Sequence, residues 1–181
     1  FVSFETLYAE NLYRINNLEK AKIVYKKIKK QGLVYDWYAS KQIANIMLKN
    51  KKKTEALKLL TKSYEKILNP EIYVTYDFAE FFKNNEKFEK SIIQYSEVLK
   101  SINKDHYLYA GASEGRGVAF ERSDKWQQAE KDLLNSLSAS PDQAYVINYL
   151  AYSWIEKGIN IEKSLKMLEK ANELKKNDGY I

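Results

Sequence analysis

The chain has 181 residues, 45% of them hydrophobic, with two prolines and six glycines; it can build a domain-sized core and lacks the composition of long disordered linkers. There is no cysteine, which excludes disulfides, thiol catalysis and cysteine-ligated zinc, and no apolar run reaches membrane-spanning length. The net charge of +6 comes from 30 Lys/Arg against 24 Asp/Glu, but only Arg14, Arg116 and Arg122 are arginines, which disfavours nucleic acid as a partner.

Taken in chain order, the sequence predicts five helical hairpins. The first, residues 1–34, has a helix around Ala9 and Leu12, a break at Asn16-Asn17, and a second helix LEKAKIVYKKI (18–28) with Ala21, Tyr25 and Ile28 on one face; Gly32 ends it. The second, 35–69, has Ala44 and Met47, the turn Lys49 to Lys53, then KTEALKLLTKS (53–63) with Ala56, Leu60 and Ser63, closed by Asn69-Pro70. The third, 70–106, has Ala79 and Phe82, the turn Asn84-Asn85, and FEKSIIQYSEV (88–98) with Ser91, Tyr95 and Val98. The fourth, 107–141, has Gly117 and Phe120, the turn Ser123-Asp124, and WQQAEKDLLNS (126–136) with Ala129, Leu133 and Ser136, followed by Ser140-Pro141. The fifth, 142–176, has Ala151 and Trp154, a break at Gly158-Ile159-Asn160, and IEKSLKMLEKA (161–171) with Ser164, Leu168 and Ala171. Residues 177–181 then read as the first turn of a further hairpin, and FVSFETLYAE reads as starting inside a helix without a cap.

The spacing is what makes this a repeat. Small residues of the second helices recur at intervals of 35, 35, 38 and 35, and those of the first helices lie twelve residues before them, thirteen in the last hairpin. Antiparallel helices approach closely only where side chains are small, and the large neighbours fill the adjacent groove. One such hairpin cannot bury both of its faces, so copies must stack. No stretch alternates with period two, so no strand is expected. The three extra residues of the third interval fall around Ile102 to Tyr109, as a longer joint.

The pattern resembles the tetratricopeptide repeat, and the segment GVAFERSDKWQQAEKDLLNSLSASPDQ (117–143) carries it best, with Gly117, Phe120, Trp126, Ala129 and Pro141. Ser91 and Ser164 depart from the usual Ala, and Lys53 from the turn aromatic. The resemblance covers essentially the whole chain. It implies an all-α fold, a right-handed α-α superhelix of about five helix-turn-helix repeats. A narrower likeness, through the 117–181 segment and its DGYI ending, is to bacterial multi-repeat proteins of the Gram-negative envelope, which implies a periplasmic or envelope-associated setting, with the cytoplasm as the alternative.

The residues that could do chemistry do not assemble. His106 is the lone histidine, expected in a solvent-exposed joint with no cysteine to pair with it. Glu86/Glu89 and Glu162/Glu169 fall on polar helix faces. Gly111, Gly115 and Gly117 lack the strand before and the Lys-Ser/Thr after that a phosphate loop requires, and are expected to thin a helix for close packing. The run Lys49 to Lys53 could attract phosphate, but reads as a solvated turn. The chain is therefore expected to be non-enzymatic, with no cofactor and no metal.

Binding is the expectation instead. In tetratricopeptide solenoids the first helices line a concave groove, and the resemblance places there Tyr38, Lys41 and Asn45; Tyr73, Tyr76 and Glu80; Glu114 and Val118; and Tyr145, Asn148 and Tyr152. Tyrosine rows supply apolar area with a hydrogen-bonding tip. A clamp for a C-terminal carboxylate, known in the family, is incomplete: Lys41 and Asn45 match its first part, but Asp77, Gly111 and Gly115 stand where an amide and cations are wanted. The expected role is a scaffold holding a protein or peptide; the alternatives are a regulatory or assembly arm of a larger enzyme or transport complex, and, more weakly, a basic RNA-binding solenoid. An apolar face beyond Leu168 and Leu174 is expected to be covered by the next helix of the further hairpin, and could seed a dimer where that helix is missing.

Overall fold

The computed structural model describes residues 3–176, 178–179 and 181; the further hairpin expected at 177–181 thus falls partly outside the described residues, at Asn177 and Tyr180. The described residues form ten α-helices and no strand: α1 (Phe4–Arg14), α2 (Leu18–Ile28), α3 (Leu33–Lys49), α4 (Lys53–Tyr64), α5 (Ile72–Asn84), α6 (Phe88–Ser101), α7 (Tyr109–Glu121), α8 (Trp126–Ala139), α9 (Ala144–Glu156) and α10 (Ile161–Leu174). A 3₁₀ turn at Lys29–Gln31, which periodicity does not announce, tightens the exit from α2. The chain divides into two compact units, Phe1–Pro70 and Glu71–Ile181.

The small residues sit where the sequence expects helices to cross. Ala9, Ala21, Ala44, Ala56, Ala79, Ser91, Ala129, Ala151 and Ser164 are all 0% exposed, and Gly117 is buried, its α-carbon so near α8 that an added methyl would lie 3.1 Å from Leu133 Cγ and 3.2 Å from the Ala129 carbonyl oxygen. In the first unit Ala9, Leu12, Ala21, Tyr25, Ile28, Ala39, Ile43 and Ile46 form one core. In the second, Ala79, Tyr95, Val98 and Ala112 form one cluster and Leu133, Val146, Leu150 and Trp154 another. Full burial of each large aliphatic side chain among these contributes roughly 1.5–3 kcal/mol. Where serine replaces alanine, its hydroxyl is satisfied: Ser91 Oγ donates across the hairpin to the Ala79 carbonyl at 3.1 Å, and Ser164 Oγ to that of Asn160 at 3.0 Å.

One turn closes every hairpin. Asn17, Lys52, Lys87, Lys125 and Ile159 donate their N–H to the carbonyls of Leu12, Met47, Phe82, Phe120 and Trp154 at 2.8–3.0 Å, the long bond of a Schellman motif. The accepting residues are the bulky ones that follow each small residue by three positions. The residue before each donor is left-handed: Asn16 (φ 60°), Lys51 (58°), Glu86 (60°), Asp124 (58°) and Gly158 (67°). In the fifth hairpin the additional residue is absorbed by Asn160, also left-handed at φ 52°, which precedes α10.

At the start of the chain the expectation of an uncapped helix is corrected. Ser3 is the N-cap of α1, its Oγ accepting the Thr6 N–H at 3.2 Å. Two buried carboxylates also tie helices together. In the first unit Asp36 accepts from Ser63 (2.5 Å), Ser40 (3.2 Å) and Lys66 (3.2 Å), with Lys29 at 3.7 Å. In the second, Arg116 of α7 grips Asp132 of α8 with two bonds, 2.6 and 2.9 Å, and donates to Ser96 of α6 at 3.1 Å.

Candidate partner-binding face

Counted from the small residue of each first helix, the expected groove residues occupy the positions six before, three before and one after. On α3 these are Tyr38, Lys41 and Asn45, all half-buried. Tyr38 is engaged within its unit: its ring meets Tyr25 edge-on at 6.1 Å and its hydroxyl donates to Glu10 Oε1 at 2.7 Å. Burial, then the Glu10 carboxylate, push the Tyr38 phenol far above its ordinary value.

In the second unit the same positions on α5, α7 and α9 split into open and packed residues. Tyr73, Tyr145 and Tyr152 are 40%, 44% and 57% exposed, whereas Tyr76, Glu80, Glu114, Val118 and Asn148 are half-buried. Tyr76, Glu80 and Glu114 converge around Tyr95, a fully buried residue of α6. The Tyr76 and Tyr95 rings meet edge-on at 5.9 Å, the Tyr95 hydroxyl donates to Glu80 Oε1, and Lys83 Nζ bonds the same oxygen at 2.9 Å.

Two glycines make this cluster sterically possible. A methyl on Gly111 would lie 2.7 Å from the Tyr76 hydroxyl, and one on Gly115 would overlap the Tyr95 phenol. Gly111 and Gly115 are one turn apart, so they clear a single stripe of α7 for two tyrosines of the preceding hairpin. This is also why the carboxylate clamp lacks its cations here: the space is filled with phenols.

The electrostatics follow from the desolvation. Burial raises the Glu114 carboxyl above its ordinary value, with Glu80 adding to the rise and Lys83 opposing it. Burial likewise lifts the Tyr76 and Tyr95 phenols, reinforced by Glu80. Tyr73 is raised by burial, then by Glu71 and Asp77. The face is thus rich in acceptors and phenols, and poor in cations.

Tyr145 stands in a different setting, its hydroxyl donating to Asp178 at 2.6 Å with the Lys175 ammonium 5.7 Å from its ring. Sequence reasoning missed Lys83, whose only signal is its position three residues after Glu80, and did not assign Tyr95 to the face. The facing pair Gly111 and Gly115 could have pointed to both tyrosines beneath it. His106 is half-buried, not fully exposed: its Nδ1 accepts the Leu108 N–H at 3.2 Å. It lines a concavity of about 700 Å³ with Lys104, Tyr107, Ser138 and Gln143, across which Lys104 Nζ bonds Ser138 Oγ at 2.5 Å. Among the described residues no cluster of three or more His, Asp or Glu could hold a metal ion, and no helix is long and apolar enough to cross a membrane.

Antiparallel helical hairpins, small residues at every crossing and a repeated Schellman turn define a class of stacked repeats, the tetratricopeptide-repeat fold. The fold of the chain is that of tetratricopeptide-repeat solenoids, which it resembles. No protein-family model matches the sequence. It is 27% identical over 138 residues, 76% of its length, to the TPR repeat-containing protein PA4667 of Pseudomonas aeruginosa, of which it spans 22%. Among solved structures it is similar to MamA of Desulfovibrio magneticus, with 12% identity and a TM-score of 0.74 over 97% of this chain and 95% of that one. It is also similar to YrrB, described as a TPR protein with an unusual peptide-binding site, with 18% identity and a TM-score of 0.66 over 96% of this chain and 86% of that one. At these identities the structural likeness is one of fold.

Proposed function

We propose that the chain is a non-enzymatic scaffold whose second unit holds an extended segment of a partner protein along α5, α7 and α9. The observation that carries the reading is the stripe itself: Tyr73 on α5 and Tyr152 on α9 stay exposed, while Tyr76, Glu80 and Glu114 between them are fixed by packing and hydrogen bonds. Rigid phenols give contact area at low entropic cost, and a pre-organised centre avoids ordering on binding. Tyr145 and Asn148 extend the stripe on α9, and Tyr38, Lys41 and Asn45 are the corresponding residues of α3. The peptide site named for YrrB supports a peptide as the ligand class, and the Pseudomonas relative supports the bacterial setting, with an envelope location as part of the reading. A role as the assembly arm of a larger complex would use the same face.

The test is selection of peptides from a random library against the purified chain, followed by affinity measurements on Tyr73→Ala/Tyr152→Ala. Loss of two aromatic contacts should weaken the selected peptides at least tenfold, about 1.4 kcal/mol or more, without lowering Tm. Ile93→Ala, which removes a side chain 58% exposed on the second helix α6, should leave affinity unchanged. Equal affinities for all three proteins would refute the proposal.

A further inference from the structure

The charge of the chain is divided unequally between its compact units. Residues 1–70 carry 15 Lys/Arg against 6 Asp/Glu, a net +9, whereas residues 71–181 carry 15 against 18, a net −3. Half of the first unit's carboxylates are also committed within it: Asp36 is buried beside Lys29 and Lys66, Glu5 accepts from Gln31 at 2.7 Å, and Glu10 from Tyr38 at 2.7 Å. Glu19, Glu55 and Glu65 remain to offset the surface cations.

Those cations collect on the outer side of α2 and on the two hairpin turns. Lys20, Ile23, Lys27 and Lys30, spaced three and four apart on α2 and the 3₁₀ turn after it, share one side and are all exposed. The repeat keeps this side in solvent: α8, with a hairpin before and after it in its own unit, leaves Gln128, Lys131 and Ser138 exposed at the matching positions. The α1–α2 turn adds Arg14 and Ile15, and the α3–α4 turn adds Lys51 and Lys52, all exposed. Lys49 Nζ lies 4.1 Å from the Tyr13 ring centroid, which sets the two turns side by side. In the second unit Lys83, Arg122 and Lys125 at the turns sit on Glu80, Glu121 and Glu89. Arg14, Lys51, Lys52 and the three lysines of the α2 side have no carboxylate partner among the described residues.

We propose that this face of the first unit binds an anionic phospholipid surface, with its cations at the headgroup phosphates and Ile15 and Ile23 in the apolar layer beneath them. The two isoleucines are 72% and 57% exposed among unpaired cations, the combination that a charged bilayer matches with phosphate density and hydrocarbon together. Lysine suits such a surface, since its stem lies along apolar material while its ammonium stays at the headgroups. Nucleic acid fits less well. Over residues 14–30 and 49–53 the one aromatic ring is that of Tyr25, which is buried, so no base can stack, and the one guanidinium is that of Arg14. The inference concerns the first unit alone and does not rest on the partner-binding reading of the second.

The test is co-sedimentation of the purified chain with vesicles of equal parts phosphatidylglycerol and phosphatidylcholine, and with vesicles of phosphatidylcholine alone. The wild type should bind the anionic vesicles, be released by salt, and ignore the neutral ones. Lys27→Glu/Lys51→Glu should weaken binding about tenfold or more, because each lysine at a charged bilayer contributes severalfold. Lys131→Glu/Lys166→Glu, the same charge change on exposed lysines of α8 and α10, should leave binding within about twofold. Ile15→Ser/Ile23→Ser should weaken it at every salt concentration. All of these residues are exposed, and melting curves check that each variant folds as the wild type does. A wild type that leaves anionic vesicles unbound would overturn the proposal, and so would equal losses in the two lysine pairs, which reduce the effect to net charge. A single-stranded RNA bound as tightly as the vesicles, with the isoleucine variant unchanged toward both, would overturn it too.

Discussion

Gly115 of α7 occupies the place where any β-carbon would overlap the phenol of Tyr95 on α6. Helix propensity favours alanine over glycine by about 1 kcal/mol, but overpacking costs about 1–3 kcal/mol, and Tyr95 is fully buried with its hydroxyl committed to Glu80. Gly115→Ala should therefore destabilise the protein by up to about 2 kcal/mol in urea unfolding. Gly111→Ala, which meets only the tip of half-buried Tyr76, should be nearer neutral. Combining Gly115→Ala with Tyr95→Leu should cost less than the sum of the two changes.

Lys51 and Glu86 hold the left-handed position of the hairpin turn, at φ 58° and 60°. A side chain there costs about 1–2 kcal/mol, and asparagine and glycine tolerate it best. Lys51→Gly and Glu86→Gly should each raise stability by about 0.5–1 kcal/mol, whereas Asn16→Gly should change little. Thermal melts of the three single variants decide it.

How much of this was legible in the sequence depends on the kind of contact. The 35-residue spacing located each crossing and turn because small residues and Schellman positions are local requirements of the chain. The extra residues at Ile102 to Tyr109 and at Gly158 to Asn160 were visible for the same reason. The Ser3 cap was hidden because serine caps only where its own backbone is extended, as at Ser3 (φ −71°, ψ 155°), which periodicity does not report. Burial on the proposed face was hidden because it depends on partners: Tyr38 packs on Tyr25 and Tyr76 on Tyr95, while Tyr152, at a position that repeats in every first helix, is 57% exposed. The ties of Asp36 to Ser63 and Arg116 to Asp132 cross 27 and 16 residues of chain, and no spacing rule announces them.

Asp36 should set the acid limit of the first unit. Burial alone would raise its carboxyl, but the Ser63 and Lys66 hydrogen bonds and the charges of Lys29 and Lys66 outweigh that and hold it below its ordinary 3.8. Its contribution is then complete above the unfolded value and lost as pH falls through the lower folded value. Asp36→Asn should cost about 2 kcal/mol near neutrality, the order expected for charged hydrogen bonds. The gap between variant and wild type should narrow as pH falls below 3.8, as followed by unfolding at a series of pH values.

Glu114 should behave in the opposite sense. Its carboxyl is raised above 4.5 by burial and by Glu80, so the ionised form costs stability at neutral pH and that cost disappears as pH falls below the unfolded value. Glu114→Gln should accordingly raise Tm at pH 7 and leave it unchanged near pH 3. If the face binds a partner, the same substitution should weaken selected peptides, so stability and binding move in opposite directions.

The central claim, that the stripe on α5, α7 and α9 is the recognition face, is tested most directly by titrating the ¹⁵N-labelled chain with a library-selected peptide and mapping amide shifts. The account predicts shifts concentrated at Tyr73, Tyr76, Glu80, Glu114, Asn148 and Tyr152, and absent from them in Tyr73→Ala/Tyr152→Ala. Shifts confined to the second helices α6, α8 and α10, with the stripe silent, would contradict it.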